Sequence, residues 1–230
     1  FDKANSVFAN YAHAYQAPDI DRFFNKDWFG TVTFNGFINP MKTDSFTLGF
    51  NNITPLNKFK ISLFYVNLKN EIYYFADPSF MNSKNTNIDK SYKYGLDIYD
   101  KWLITDEFNI ALNYNFVKAV IDKELEGGND YSGNDLPGVS NHNIKATLSY
   151  LATKNTILSL TQVYRSEAYA ANDFNNNFAQ KQDAYGYTDI SATYTRDNLE
   201  LFAKINNLFN QKNGLWIEDN AIYPINFTTT

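Results

Sequence analysis

His13 and His142 are the only imidazoles in the chain, and metal ligation is the sharpest chemistry they offer. His13, however, shares the outward face of an alternating segment with Tyr11, which favours a structural role. No serine sits in a recognisable nucleophile elbow, so no Ser/His/Asp set is supported. There are no cysteines, which excludes a thiolate nucleophile, a disulfide framework and cysteine-based metal sites. Glu124 and Glu126 lie in a Gly-rich stretch and read as solvated, with weak cation binding as the lesser alternative. Nothing here points to an enzyme or calls for a cofactor. The stronger signal is aromatic and cationic. Phe23, Phe24, Trp28 and Phe29 crowd beside Arg22 and Lys26, and Tyr131, Tyr169, Phe174 and Trp216 stand in later connecting segments. Aromatic and cationic groups together suit a planar, anionic ligand. Packing of the loops against themselves is the competing reading.

Composition narrows the setting. The chain has 230 residues and a formal net charge of −5, so a nucleic-acid partner has no electrostatic support. Aromatics make up 17% of the residues, with 17 Tyr and 20 Phe, in a chain that is only 44% hydrophobic. A sequence that is polar on average yet rich in aromatics suggests rings spread over a surface. The chain begins at Phe1 with no signal-peptide pattern, and no apolar run is long enough for a transmembrane helix. The expectation is a fragment of a longer chain, cut at both ends.

The elements that must position these residues are strands. In Phe108–Phe116, residues Phe108, Ile110, Leu112, Tyr114 and Phe116 fall on one side, and Asn109, Ala111, Asn113 and Asn115 on the other. Successive strand side chains point to opposite faces, giving one apolar and one polar face. Asparagine is a poor helix former, which weakens the helical alternative. About ten such segments are expected: 7–15, 43–53, 59–73, 91–102, 107–117, 143–150, 156–164, 187–194, 199–206 and 222–229. Lys60, Lys93, Asn113, Lys145 and Lys204 all fall on the polar side.

The connections alternate in length. Those at 54–58, 103–106, 151–155 and 195–198 are short and carry turn residues. Those at 16–42, 74–90, 118–142, 165–186 and 207–221 are long. In an up-and-down antiparallel sheet this puts every turn at one end and every loop at the other. Structureless loops beyond about 12–15 residues are uncommon in compact domains. A transmembrane β-barrel accounts for them, with short turns on one side, long loops on the other, and strands alternating apolar-out and polar-in. The outward aromatics also fall where interface girdles belong: Tyr65, Tyr92, Tyr94, Tyr114 and Tyr164 near the loop end, and Tyr150, Tyr194 and Trp102 near the turn end. The lysines and Asn113 then face the lumen. A soluble β-sandwich or small barrel is the bland alternative.

Six pieces in order resemble the C-terminal part of the barrel of TonB-dependent outer-membrane receptors. They are Phe8-Ala9-Asn10-Tyr11 running to Ala17-Pro18; Phe64-Tyr65 through Lys69-Asn70-Glu71-Ile72; Tyr92-Lys93-Tyr94-Gly95-Leu96-Asp97; Leu136-Pro137 to His142; Ala203-Lys204-Ile205-Asn206-Asn207-Leu208-Phe209-Asn210; and Tyr223-Pro224. Ser140 and Asn210 depart from the family's usual Pro and Asp. The resemblance implies a partial barrel, about ten strands of a larger one, in the outer membrane of a Gram-negative bacterium. It implies a role in energised uptake of a scarce nutrient, most readily a ferric siderophore or other iron chelate. The implied partners are outer-membrane lipid, the receptor's own plug domain and remaining barrel strands, and the TonB complex. Haem uptake in some family members gives the histidines a ligand reading, but His142 matches a position shared by receptors for many substrates. The ligand candidates remain Arg22, Phe24, Lys26, Trp28, Phe29, Tyr131, Tyr169 and Trp216. For the inward lysines, hydrating the wall or pairing with a plug is favoured over contact with substrate. A soluble or surface-attached carbohydrate-binding module using its loop aromatics is the alternative function.

Overall fold

The computed structural model describes residues 3–26, 30–75, 84–218 and 221–226, with backbone alone at 26, 75 and from 213 onward. Its strands are β1 (Asn5–Gln16), β2 (Phe24–Lys26), β3 (Val32–Phe34), β4 (Met41–Ile53), β5 (Asn57–Phe75), β6 (Lys84–Leu103), β7 (Phe108–Lys123), β8 (Leu125–Glu126), β9 (Asn129–Asp130), β10 (His142–Thr153), β11 (Thr156–Arg165), β12 (Tyr185–Arg196), β13 (Leu199–Ile205), β14 (Lys212–Glu218) and β15 (Ala221–Asn226). A 3₁₀ turn covers Ile20–Phe23.

Nine long strands form one antiparallel sheet in the order β1-β4-β5-β6-β7-β10-β11-β12-β13. Each long strand pairs with the next along the chain, so the sheet is an open up-and-down meander. Tight turns close one end. Thr54 N–H donates to Asn57 O at 2.8 Å, and Ile104 N–H to Phe108 O at 2.9 Å. Asp197, at φ 51, makes the turn from β12 to β13. All the long connections emerge at the other end, as the alternation of loop lengths requires.

Strand pairing turns the sequence alternation into rows. Leu48 lies opposite Leu63, and Leu63 opposite Leu96. Ile110, Leu148 and Leu160 form a similar row across β7, β10 and β11. Leu48, Leu63, Ile110, Leu148 and Leu160 are exposed on the sheet's apolar face, and Leu96 is half-buried among them. Toward the loops, Tyr11, Phe46, Tyr65 and Tyr94 make an aromatic row. Toward the turns, the Phe108 and Tyr150 rings stack at 4.4 Å. The polar face is tied by cross-strand pairs such as Thr147–Thr161 and Ser149–Ser159.

Three expectations change. First, β5, β6 and β7 run farther than the alternation indicated. β5 has 19 residues and β6 has 20, whereas about 10 residues of tilted strand cross a bilayer. The surplus projects from the loop end. At its base Asn70 adopts a left-handed conformation (φ 57), and Glu71 then points to Ser91 and Lys93 on the polar face. Second, the stretch at 118–142 is not structureless. β8 and β9 make a small hairpin around Gly127 (φ 58) and Gly128 (φ 83), a pair of positive φ values that glycine supplies without strain. Third, the tenth segment does not extend the main sheet. β15 pairs with β14 in a separate two-stranded sheet, so the stretch at 207–221 contains a strand; residues 227–229 lie outside the described residues.

The core is off the main sheet's apolar face. Ile88, Ile121, Tyr131 and Phe174 form the buried cluster, with Tyr73 and Leu136 against it. It sits where the projecting ends of β5, β6 and β7 meet the loops at 124–141 and 166–184.

Candidate functional site

Two surfaces carry the candidate residues: the polar hollow of the sheet and the loops above it. The hollow holds about 600 Å³ and takes its lining from seven strands, β5 to β7 and β10 to β13. Lys60, Asn113, Lys145 and Lys204 all line it, together with Asp97, Arg165 and Asp189. Antiparallel pairing positions them: Asn113 is directly opposite Lys145, and both alternate with apolar neighbours turned the other way. Lys204 Nζ is 2.9 Å from Asp189 Oδ2. Asn115 donates to Asp97 at 2.8 Å. Lys60 Nζ stands 5.3 Å from the centre of the Phe8 ring. Lys93 is engaged at the edge of this face, 2.7 Å from Glu71 Oε1. The wall therefore mixes both signs of charge with amide groups, a hydrated surface with many exchangeable hydrogen bonds.

The first long loop carries Arg22 on the 3₁₀ turn, half-buried, and Phe24 at the start of β2. Its rings pack on one another: Phe23 on Phe37 at 5.8 Å, Phe24 on Phe34 at 5.9 Å, and Phe34 on Phe37 at 5.3 Å. Phe37 still leaves 88% of its surface exposed. Asn35 donates to Asn85 O at 2.6 Å, and Asn39 N–H to Asn87 Oδ1 at 2.8 Å, anchoring the loop on β6. Lys26 ends β2, its side chain undescribed, and Trp28 and Phe29 lie outside the described residues. Both readings of this loop's aromatics, mutual packing and an open ring surface, are thus present in the same cluster.

The second loop group behaves differently. Asn134 donates to Phe174 O at 2.8 Å, Asp135 N–H to Asn176 Oδ1 at 2.6 Å, and Gly138 N–H to Tyr169 O at 2.9 Å. Tyr131 is 3% exposed with its ring 5.9 Å from Phe174, so it is part of the core and not a surface contact. Tyr169 is half-buried, with Lys181 Nζ 4.2 Å above its ring. Trp216 lies on β14 opposite Tyr223. Arg22 and Phe24 thus belong to the first loop and Tyr169 to the second loop group, while Trp28 and Phe29 lie outside the described residues.

Two features of this group escape a sequence reading. The Asn-rich run at 172–177 reads as a flexible tip, but Asp173 is fully buried and accepts from the N–H groups of Asn177 (2.9 Å) and Phe178 (3.2 Å). Asn176 takes the left-handed conformation (φ 55) that asparagine tolerates. Glu124 is not solvated: it is 3% exposed, and its carboxylate accepts the Asp89 N–H at 2.7 Å. Burial pushes the Glu124 carboxyl above its ordinary range, opposed by that backbone hydrogen bond. Burial, with the nearby Glu124 and Glu126 charges, pushes the Tyr73 phenol up in turn. The Gly-Gly turn at 127–128 was the only signal that this stretch is ordered.

The histidines are engaged locally. His13 Nδ1 is 2.8 Å from Asp44 Oδ1, which also accepts from the Tyr11 hydroxyl at 2.6 Å. His142 Nδ1 is 2.9 Å from the Tyr114 hydroxyl. Among the described residues no three His, Cys, Asp or Glu groups converge on one point.

An open up-and-down sheet with an apolar exterior, a polar hollow and loops at one end defines a partial transmembrane barrel. The family model described as "TonB dependent receptor-like, beta-barrel" matches residues 1–208, and the chain belongs to that family. No curated protein matches. Among solved structures, the chain resembles the ferric yersiniabactin uptake receptor FyuA from Yersinia pestis, with 16% identity and a TM-score of 0.68 over 98% of this chain and 33% of that one. The siderophore receptor PiuA from Acinetobacter baumannii gives 19% identity and a TM-score of 0.67 over 98% and 32%. The copper transporter OprC gives 15% identity and a TM-score of 0.70 over 93% and 32%. At these identities the likeness is one of fold, and the chain spans about a third of the length of these proteins. The soluble carbohydrate-binding module is not favoured.

Proposed function

We propose that residues 1–230 are a portion of the barrel of an outer-membrane receptor of a Gram-negative bacterium. The receptor binds a scarce nutrient outside the cell and admits it on energy delivered by the TonB complex through a plug domain. An iron chelate is the ligand class that fits best. The observation that carries this reading is the division of one sheet into an exposed apolar face and a polar hollow, within a family match covering residues 1–208. That a ferric-siderophore receptor and a copper transporter share the fold leaves the ligand to the loops.

Ligand contact falls to Arg22, Phe24, Lys26, Trp28 and Phe29, with Tyr169 and Trp216 as further contacts, while buried Tyr131 braces the second loop group. A guanidinium among rings binds a planar anion by charge and stacking together. In this reading Lys60, Lys93, Asn113, Lys145 and Lys204 face the lumen and hydrate the wall against a plug. The test is uptake by cells carrying the full-length receptor. Arg22→Ala and Trp28→Ala should each weaken binding of a ferric siderophore by about 2 kcal/mol or more, at unchanged surface expression. Unaltered affinity in both variants would move the ligand to other loops or to the plug.

A further inference from the structure

Asn35 ties the first long loop together and to the main sheet. Its backbone N–H donates to Phe23 O at 2.7 Å, its Nδ2 donates to Asn85 O of β6 at 2.6 Å, and its Oδ1 accepts from Asn25 Nδ2 at 3.2 Å. The bonds to Phe23 and Asn25 join the two arms of the loop, and the bond to Asn85 fixes both arms to β6. The next residue is Gly36, at φ 98. A Cβ built there would meet nothing within 4 Å. Among the described residues the Gly36 N–H makes no hydrogen bond. A free backbone nitrogen in open space thus follows directly on the side-chain amide that holds the loop.

That pair of residues has a reaction of its own. The Gly36 nitrogen, once its proton has gone to hydroxide, can attack Asn35 Cγ. Nucleophile and electrophile are chain neighbours, so the step is intramolecular and needs no second protein. Negative charge then develops on Asn35 Oδ1, where the Asn25 Nδ2 donor already stands, the placing that stabilises an oxyanion. The bond from Cγ to Nδ2 breaks, Nδ2 takes a proton from water and leaves as ammonia, and a cyclic imide remains. Water opens the imide at either carbonyl, giving aspartate or isoaspartate, and the isoaspartate carries an extra backbone methylene. Overall, water enters and ammonia leaves, and nothing is oxidised or reduced.

We propose that Asn35 is a site of spontaneous deamidation and that the reaction unlatches the first long loop from β6. The Nδ2 donor to Asn85 O is replaced by a carboxylate oxygen, so two acceptors face each other where a hydrogen bond stood. An acceptor left without its donor costs more than the bond alone was worth. In isoaspartate the added methylene falls between Phe34 and Phe37, whose rings pack at 5.3 Å. The Asn39 N–H, held by Asn87 Oδ1 at 2.8 Å, lies next along the freed segment. The covalent step stands on the loop alone. Its effect on uptake rests on the reading that Arg22 and Phe24 contact an anionic ligand, because the new negative charge arises in the same loop and opposes that ligand.

The test incubates the full-length receptor in neutral detergent in mild alkali and follows the segment 31–40 by peptide mass spectrometry. Asn39 precedes Pro40, whose nitrogen has no proton to lose, so a mass gain in this segment reports Asn35. The segment should gain the mass difference between oxygen and NH, at a rate proportional to hydroxide. N35Q, whose longer side chain closes the ring poorly, should show no gain over the same time. Hydrogen exchange at Asn35 and Asn39, corrected for intrinsic exchange, should become roughly fivefold faster in the converted protein, the factor for losing one ordinary hydrogen bond. N35D should exchange fast from the start. If N35Q fails to fold, wild-type receptor kept in mild acid, where the amide nitrogen holds its proton, is the unreacted reference. An Asn35 still intact when a synthetic peptide of residues 31–40 has been fully converted overturns the proposal. So does a converted loop whose exchange is unchanged. Faster exchange with undiminished binding of a ferric siderophore upholds the modification and overturns the ligand reading instead.

Discussion

Leu48 and Leu63, facing each other on β4 and β5, are 54% and 53% exposed, while Ile88 and Ile121, farther along β6 and β7, are completely covered. The strands are continuous between the two regions, and the pairing is irregular only where they meet. What differs is the surroundings for which each region is built. In the lower region large aliphatic groups point away from the hollow and meet no protein, an arrangement stable only against hydrocarbon. In the upper region the same residue types turn inward onto Tyr131 and Phe174, as water requires. The change falls at Asn70 on β5 and at the irregular pairing beside Lys90 and Ser91 on β6. One sheet therefore carries two folding problems stacked end to end: a membrane wall and a small aqueous core.

The comparison breaks most sharply where each region is given the other's chemistry. Ile121→Ala in the upper core should cost roughly 2–5 kcal/mol. The loss should be confined to the loop end, read as faster hydrogen exchange at Tyr131, Gly133 and Leu136, whose N–H groups bond there to Glu124, Ile121 and Ala119. Exchange accelerating equally in β10 and β11 would show that the two regions are one cooperative unit. In the lower region Leu112→Arg should cost roughly 2–4 kcal/mol if it sits at the bilayer midplane. Asn113→Arg, one residue away but lining the hollow opposite Lys145, should cost roughly 1 kcal/mol or less. Equal costs at 112 and 113, measured by reversible unfolding of the full-length receptor in vesicles, would refute the assignment of faces.

The same division explains what was legible in the sequence. In the membrane wall each side chain's environment is set by its own position in the alternation, so Phe108–Phe116 declares its two faces unaided. Nine strands and the sidedness of the loops followed from that local rule. The upper region obeys no such rule. Glu124 is buried because the Asp89 N–H, 35 positions away, meets its carboxylate, and Tyr131 is core because Phe174 arrives from another loop. Nothing local distinguishes these from surface residues. The β14–β15 hairpin was missed because the stretch at 207–221 reads as one long connection and 222–229 as a barrel strand, and nothing local says that the two pair with each other. The ligand candidates suffer the same limit: rings and charges are visible, but which of them share a loop cluster is decided by long-range packing.

The smallest effect concerns pH and belongs to the upper region alone. Glu124's carboxyl is raised by burial above its ordinary value of 4.5. A raised carboxyl binds a proton more readily in the folded crown than in the opened one. Folding therefore takes up protons between the two values, and stability falls as pH rises through the folded-state value. The loop end should be most stable in mild acid and loosen toward neutrality, while the membrane wall should show no matching trend. Glu124→Gln keeps an acceptor for the Asp89 N–H but removes the charge, so it should flatten the profile and hold the crown at its acidic level of stability. The measurement is hydrogen-exchange protection at Ile121 and Tyr131, corrected for intrinsic exchange, between pH 4 and pH 8. An unchanged slope in the variant would assign the pH response to other groups, with Asp89 and Glu126 beside it the first to substitute.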